Sequence, residues 1–140
     1  VTGVDVGTGQ LHPALKSDSR VTSLERQDAR ALVLADLPCA PGIITCDASF
    51  IGLAKVIERP LSLAAGQCDL IALFKPQFEV GRSHVGKGGL VKDNAALRSA
   101  LERFRIWLNG REGFEIRGVA DSPVTGGDGN REFLVHARKE

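Results

Sequence analysis

The stretch DLIALFKPQFEVGRSHVGKGGLVKDN (residues 69–94) decides how this chain is read. It starts as an apolar run of strand length, stops at Lys75-Pro76 and continues into a glycine-rich loop. Gly81, four further residues and then Gly86-Lys87 come close to a nucleotide-binding P-loop. In that motif backbone amides cradle phosphates, the lysine meets the outer phosphates, and a following Ser or Thr hydroxyl holds magnesium. Here Gly88 stands where the hydroxyl belongs. The context differs as well. KPQFEV separates the strand from Gly81, and the next helical pattern begins only near Asp93, whereas a P-loop joins strand to helix directly. A P-loop NTPase is therefore set aside. What remains is a loop carrying Arg82, His84, Lys87 and Lys92, a basic cluster suited to meeting phosphates beside a cleft.

Outward from this stretch, short apolar runs alternate with helical patterns. VTGVDV (1–6), RVTSLE (20–25), GIITCD (42–47) and DLIALF (69–74) read as strands, and the alternation predicts an α/β fold with a mostly parallel sheet. HPALKSD (12–18) predicts a short helical turn, and QDARALVL (27–34) a short helix ending before Pro38. In SFIGLAKVIERPLSLA (49–64), Phe50, Leu53, Ala54, Ile57 and Leu61 recur at helical spacing, with a kink or a restart of the helix expected at Pro60. Asp93 is placed to cap a long helix over 94–110, whose apolar stripe is Leu97, Leu101, Phe104 and Leu108. The tail (114–138) predicts two strands joined by a glycine-rich turn, an antiparallel end to the sheet.

Composition sets the bounds. With 140 residues, 43% hydrophobic and 25% charged, the chain has the make-up of one globular domain with a real core. No apolar run approaches the roughly 18 residues of a membrane helix. The net charge of +1 excludes a globally basic surface, so nucleic-acid binding has to rest on local clustering. Cys39, Cys46 and Cys68 are odd in number and lack CxxC spacing, which fits a reducing, cytoplasmic setting with Cys46 and Cys68 as small buried residues. His12, His84 and His136 lie far apart and give no metal-ligand pattern. Tyr is absent and aromatics are 5%, so no base-stacking platform is evident.

Ligands of open α/β sheets bind outside the carboxyl ends of the strands. Three strands here end there in charged residues: Asp5, Asp47 and Lys75. Asp5 stands where a carboxylate commonly accepts from the ribose hydroxyls of a nucleotide-like cofactor. Pro76 forces Lys75 into an extended conformation as its strand ends. Asp47 and Lys75 alone read as an ion pair; a lysine base needs desolvation or a further cation to lose its proton.

In order and spacing, VDVGTGQLH, SLERQDAR, CDASFIGL, LFKPQFEVGRSHVGKGGLVKD and SPVTGGDGNREFLVH resemble the hemolysin A-like (TlyA-type) proteins, FtsJ-like RNA ribose 2′-O-methyltransferases that use S-adenosylmethionine. The resemblance covers nearly the whole chain, and KPQFEVGR with VGKGG and GNREF is its most specific part. It implies a Rossmann-like methyltransferase sheet with an antiparallel C-terminal strand, and a Lys-Asp-Lys-Glu tetrad in which Asp47, Lys75 and Glu132 match three members. It implies donor contacts at Asp5 and Val6, at Asp28 and Ala29 near the adenine, and at Asp47 near the methionine end. Arg82, Lys87 and Lys92 would face the RNA, with ribosomal RNA or a ribosomal subunit as partner and no membrane. Family members carry an S4-type domain, a first strand with a glycine-rich donor turn and the first tetrad lysine ahead of the matched region. Residues 1–140 are accordingly read as the C-terminal part of the methyltransferase domain. Alone, this part is expected to bind the donor weakly or not at all and to leave RNA unmethylated, and its exposed sheet edges offer a route to self-association. The alternatives are a catalytically degenerate member that binds RNA or a protein partner and, as the family name suggests, a membrane-active hemolysin.

Overall fold

A computed structural model describes all of residues 1–140. Six strands and three helices run in the order β1 (Thr2–Val4), α1 (Pro13–Lys16), β2 (Thr22–Leu24), β3 (Ile43–Cys46), α2 (Leu53–Ser62), β4 (Cys68–Phe74), α3 (Asn94–Leu108), β5 (Phe114–Asp121) and β6 (Phe133–Lys139). The fold is α/β, as expected, but the strands form two sheets. β1 and β2 pair in parallel; β3, β4, β6 and β5 lie side by side in that order. β3 and β4 are parallel, while β6 runs antiparallel to both its neighbours.

Alternation in β4 and β6 sets the core. Cys68, Leu70, Ala72 and Phe74 point to one face with Phe133, Val135 and Ala137 beside them, all buried. Leu53, Ile57 and Leu61 of α2, and Leu97, Ala100, Phe104 and Leu108 of α3, recur at helical spacing and join the same cluster. Both helices therefore cover one face of the four-stranded sheet. Asp93 caps α3 as expected, accepting from the amides of Ala95 and Ala96.

Three local expectations change. Residues 27–34 form no continuous helix; two single 3₁₀ turns, Ala29–Ala31 and Leu34–Asp36, replace it. Only Leu32 there is buried, so a longer helix would have no apolar face to pack. Pro60 does not restart the helix: α2 runs through it to Ser62, forfeiting the one bond that the residue-60 amide would donate to the Val56 carbonyl, two residues before the helix ends. Phe50 is not part of the helical stripe. α2 begins only at Leu53, and Phe50 is 91% exposed with a positive φ of 65°. Of the cysteines expected inside, Cys68 is buried and Cys46 half-buried.

The two-stranded sheet is tied to the rest through Leu32, which is buried and whose carbonyl accepts from Arg59 Nε of α2 at 2.7 Å. Between β1 and β3 runs a mainly apolar groove of about 530 Å³, lined by Val1, Thr2 and Val4 on one side and Ile43, Ile44 and Thr45 on the other. Ile43 is 67% exposed. Each strand pairs on one side only, and their other edges flank this groove. No helix is long and apolar enough to cross a membrane.

Candidate active site

Parallel pairing of β3 and β4 brings the carboxyl ends of both strands to one edge, with Cys46 opposite Ala72. Asp47 and Lys75 leave the sheet there. Lys75 Nζ lies 2.7 Å from Asp47 Oδ1 and donates to Ser49 Oγ at 3.0 Å. The lysine side chain is 13% exposed, the aspartate 72%, so the stem is buried and the ion pair opens outward. Pro76, itself buried, turns the chain directly after Lys75 into a 3₁₀ turn over Pro76–Phe78.

The antiparallel β6 starts where β4 ends, Phe133 facing Phe74. Glu132 is therefore delivered to the same edge from the far end of the sequence. It is 7% exposed, and its Oε1 accepts from Gln77 Nε2 at 3.3 Å. Lys75 and Glu132 line one cavity of about 340 Å³, with Ser49, Phe50, Gln77, Phe78, Val85, Gly89, Gly127 and Asp128. Lys75 is the one basic residue among these. The structure thus brings the three residues expected to be catalytic to a single edge.

The glycine-rich loop is held against this cavity. Asn130, 2% exposed, donates from Nδ2 to the Gly89 carbonyl at 2.9 Å and accepts on Oδ1 from the Val91 amide at 2.8 Å. Val85 and Val91 bridge across the loop. The Asn130 carbonyl also accepts from the Gly126 amide, closing the turn that carries Glu132. Gly126 leaves room for the carboxylate: a Cβ there would sit 2.7 Å from Glu132 Oε1 and 2.9 Å from Asp128 Oδ1. VGKGG and GNREF, remote in sequence, form one unit through Asn130.

Beside the cavity, and sharing Phe50, Gln77, Phe78 and Val85 with it, lies an open groove of about 790 Å³. Arg30, Lys55 and Arg82 line it. The rings of Phe50 and Phe78 meet at 5.3 Å between centroids on its wall. Of the residues expected to face RNA, Arg82 lines this groove, while Lys87 and Lys92 line neither space. The aromatic surface that composition hid is the Phe50–Phe78 pair. Phe50, Lys55, Gln77 and Asn130 were not among the residues expected at the site. The available signal for Phe50 was its place three residues after Asp47, on the loop leaving β3.

At the β1 end, Asp5 Oδ1 accepts from the Gly7 amide at 2.7 Å, and Oδ2 has no partner in the chain. Val6 is exposed. The Gln27 amide donates to the Asp5 carbonyl, so the segment leading to Asp28 lies against Asp5. Both Asp28 oxygens engage Arg30, the closest contact 2.6 Å, and its side chain caps the turn beginning at Ala29. The Arg30 guanidinium, and then the Arg30 amide, hold this carboxyl down at about 2. Burial pushes the Cys46 thiol up, which keeps it protonated beside the site. No group of three or more His, Cys, Asp or Glu is placed to hold a metal ion.

Comparison with known proteins adds a family and several relatives. The model of the FtsJ-like methyltransferase family matches residues 1–139. YqxC of Bacillus subtilis is 42% identical over 134 residues, covering 95% of this chain and 47% of YqxC. TlyA of Mycobacterium tuberculosis, a 16S/23S rRNA (cytidine-2′-O)-methyltransferase, is 39% identical over 142 residues, covering 100% of this chain and 52% of TlyA. This chain thus spans about half the length of the curated relatives it matches. A hemolysin-named protein of Lactococcus lactis superposes with a TM-score of 0.92 at 36% identity, over 99% of this chain and 66% of that one. The fold extends further, to the N-methyltransferase NodS of Bradyrhizobium japonicum, with a TM-score of 0.60 at 12% identity over 99% of this chain and 72% of NodS.

Proposed function

The chain belongs to the FtsJ-like methyltransferase family, and we propose that it carries the catalytic residues of an S-adenosylmethionine-dependent RNA ribose 2′-O-methyltransferase acting on ribosomal RNA. One observation supports this most: a lysine and a glutamate share a small cavity that opens onto a groove lined by basic and aromatic side chains. The cavity suits a single ribose, and the groove suits the phosphates and bases that flank it.

Lys75 is the positioning centre. An ammonium has three N–H groups, and two point at Asp47 and Ser49. The third is left to hold the ribose 2′-oxygen with a lone pair directed at the methyl group. Glu132 keeps one oxygen free of Gln77 and accepts from the 2′-hydroxyl, drawing off its proton as the new C–O bond forms. S-adenosylmethionine, when bound, supplies a methyl group on a sulfonium, which leaves orientation as the main task of the protein.

The donor is assigned to Asp5, Val6, Asp28, Ala29 and Asp47. Asp5 and Asp47 fit this role because each has a carboxylate oxygen unpartnered within the chain. Asp28 fits it only on releasing part of its hold on Arg30. For RNA, Arg82, Lys55 and Arg30 supply charge in the groove and Phe50 a face for a base, with Lys87 and Lys92 on the loop beyond. Mass-spectrometric analysis of nucleosides, after incubating rRNA with donor and a form of the protein that methylates, tests the reading. It predicts a methylated ribose. A methylated base, or transfer only to a small molecule, would contradict it.

A further inference from the structure

Glu79 lies outside the tetrad, the donor contacts and the RNA groove. It is half-buried, and its Oε1 accepts from the Leu53 amide at 2.6 Å. Leu53 opens α2, and the residue before it, Gly52, has no side chain with which to cap the helix. The carboxylate takes over that task from 26 residues away in sequence. It lies against Gly52, where a Cβ would sit 3.4 Å from Glu79 Oε2. A carboxylate at a helix N-terminus is favoured by the unpaired amides there and by the helix dipole.

The location gives this cap its importance. The loop of residues 47–52 leaves β3 and enters α2, and it carries Asp47, Ser49 and Phe50. The segment of residues 75–79 leaves β4. Lys75 binds the start of the loop through Asp47 and Ser49, and Glu79 binds its end through Leu53. Between the two ties Phe50 packs on Phe78, at a φ of 65° that a bulky L-residue adopts only under constraint. The Asp47 and Ser49 contacts alone leave the Phe50 side of the loop free to relax. Burial pushes the Glu79 carboxyl up, so its place costs desolvation that the Leu53 amide offsets only in part.

We infer that Glu79 is a positioning residue, whose bond to Leu53 fixes the 47–52 loop and so holds Phe50 at the mouth of the ribose cavity. The consequence for RNA rests on the function proposed above; the consequence for the loop does not.

The test compares residues 1–140 carrying Glu79→Ala or Glu79→Gln with the wild type. Glutamine keeps an acceptor oxygen and alanine does not. In hydrogen exchange, Glu79→Ala is expected to speed exchange of the Leu53 amide about tenfold, with β4 and the C-terminal half of α2 unchanged, while Glu79→Gln stays near wild type. Anisotropy with a fluorescein-labelled single-stranded RNA of about ten nucleotides is expected to show about fivefold weaker binding for Glu79→Ala and recovery in Glu79→Gln. Wild-type exchange at Leu53 in Glu79→Ala, or acceleration spread evenly through α2 and β4, would overturn the inference, as would a Glu79→Gln variant as impaired as Glu79→Ala. A wild-type chain that fails to bind the RNA would count against the RNA reading, and the exchange result alone would then decide the role of Glu79.

Discussion

Lys75 Nζ and Asp47 Oδ1 are 2.7 Å apart, although the two residues leave different strands. Parallel pairing of β3 and β4 produces this contact, because it aligns their carboxyl ends. Glu132 reaches the same edge by the opposite route, on a strand that starts where β4 ends. A ribose-sized cavity with one ammonium and one buried carboxylate follows from that topology.

Gly126 tests whether the position of Glu132 matters. A Cβ at Gly126 would meet the tip of the Glu132 side chain at 2.7 Å, not the backbone. Gly126→Ala is therefore expected to keep the fold, with a thermal midpoint near wild type, while the displaced carboxylate lowers methylation at least about tenfold. Circular dichroism melting and a methyl-transfer assay check the two halves. Unchanged transfer would show that the carboxylate position is not critical.

Phe50 separates stability from recognition. Exposed as it is, with its ring on Phe78, it contributes little to the core. Phe50→Ala is expected to leave stability within about 0.5 kcal/mol, while weakening single-stranded RNA binding by about 1–3 kcal/mol. Phe74→Ala, by contrast, removes a fully buried ring and is expected to cost about 3–5 kcal/mol. Denaturant titration together with RNA anisotropy distinguishes the two cases.

The Asp28–Arg30 pair predicts a pH dependence. Arg30 lowers the Asp28 carboxyl from its ordinary value of 3.8 to about 2. A folded value below the unfolded one adds stability above pH 3.8, which is lost as the pH falls towards 2. The stability gap between wild type and Asp28→Asn should be constant near neutral pH and close over that acid window. A gap that persists at pH 2 would mean the pair does not form in solution. The pair is exposed, so the gap should also shrink in high salt.

The donor site gives a fourth prediction. The facing edges of β1 and β3 are unpaired across the apolar groove, and Lys75 is the cavity's only cation. Residues 1–140 by themselves are expected to bind S-adenosylmethionine more weakly than micromolar by calorimetry, and to self-associate at high concentration through those edges. Micromolar donor binding by this chain alone would contradict this expectation.

The strands, and the shared edge reached by Asp47 and Lys75, were legible because they depend on local pattern, whereas Glu132 was marked only by the family resemblance. DLIALF alternates and ends in Lys-Pro, GIITCD ends in Asp47, and the motif around GNREF marked Glu132. Phe50 was misplaced because its spacing from Leu53, Ala54 and Ile57 mimics a helix face; only the turn at Gly52, capped from Glu79, shows that the helix starts later. The short helix expected over 27–34 failed because Asp28 and Arg30 bind each other within one turn and only Leu32 finds a core to enter. Asn130 was invisible for a different reason. Its partners, Gly89 and Val91, are about forty residues away, and no periodicity reports so distant a hydrogen bond.

The most direct test of the account replaces Lys75 in a form of the protein that methylates rRNA and measures 2′-O-methylnucleosides by mass spectrometry. With Lys75→Ala the ammonium proposed to orient the 2′-oxygen is gone, while Asp5 and Asp28, the carboxylates proposed to meet the donor, pair with Gly7 and Arg30 rather than with Lys75 and are left in place. The account predicts loss of ribose methylation by at least about a hundredfold, with donor binding retained. Ribose methylation undiminished by Lys75→Ala would contradict it.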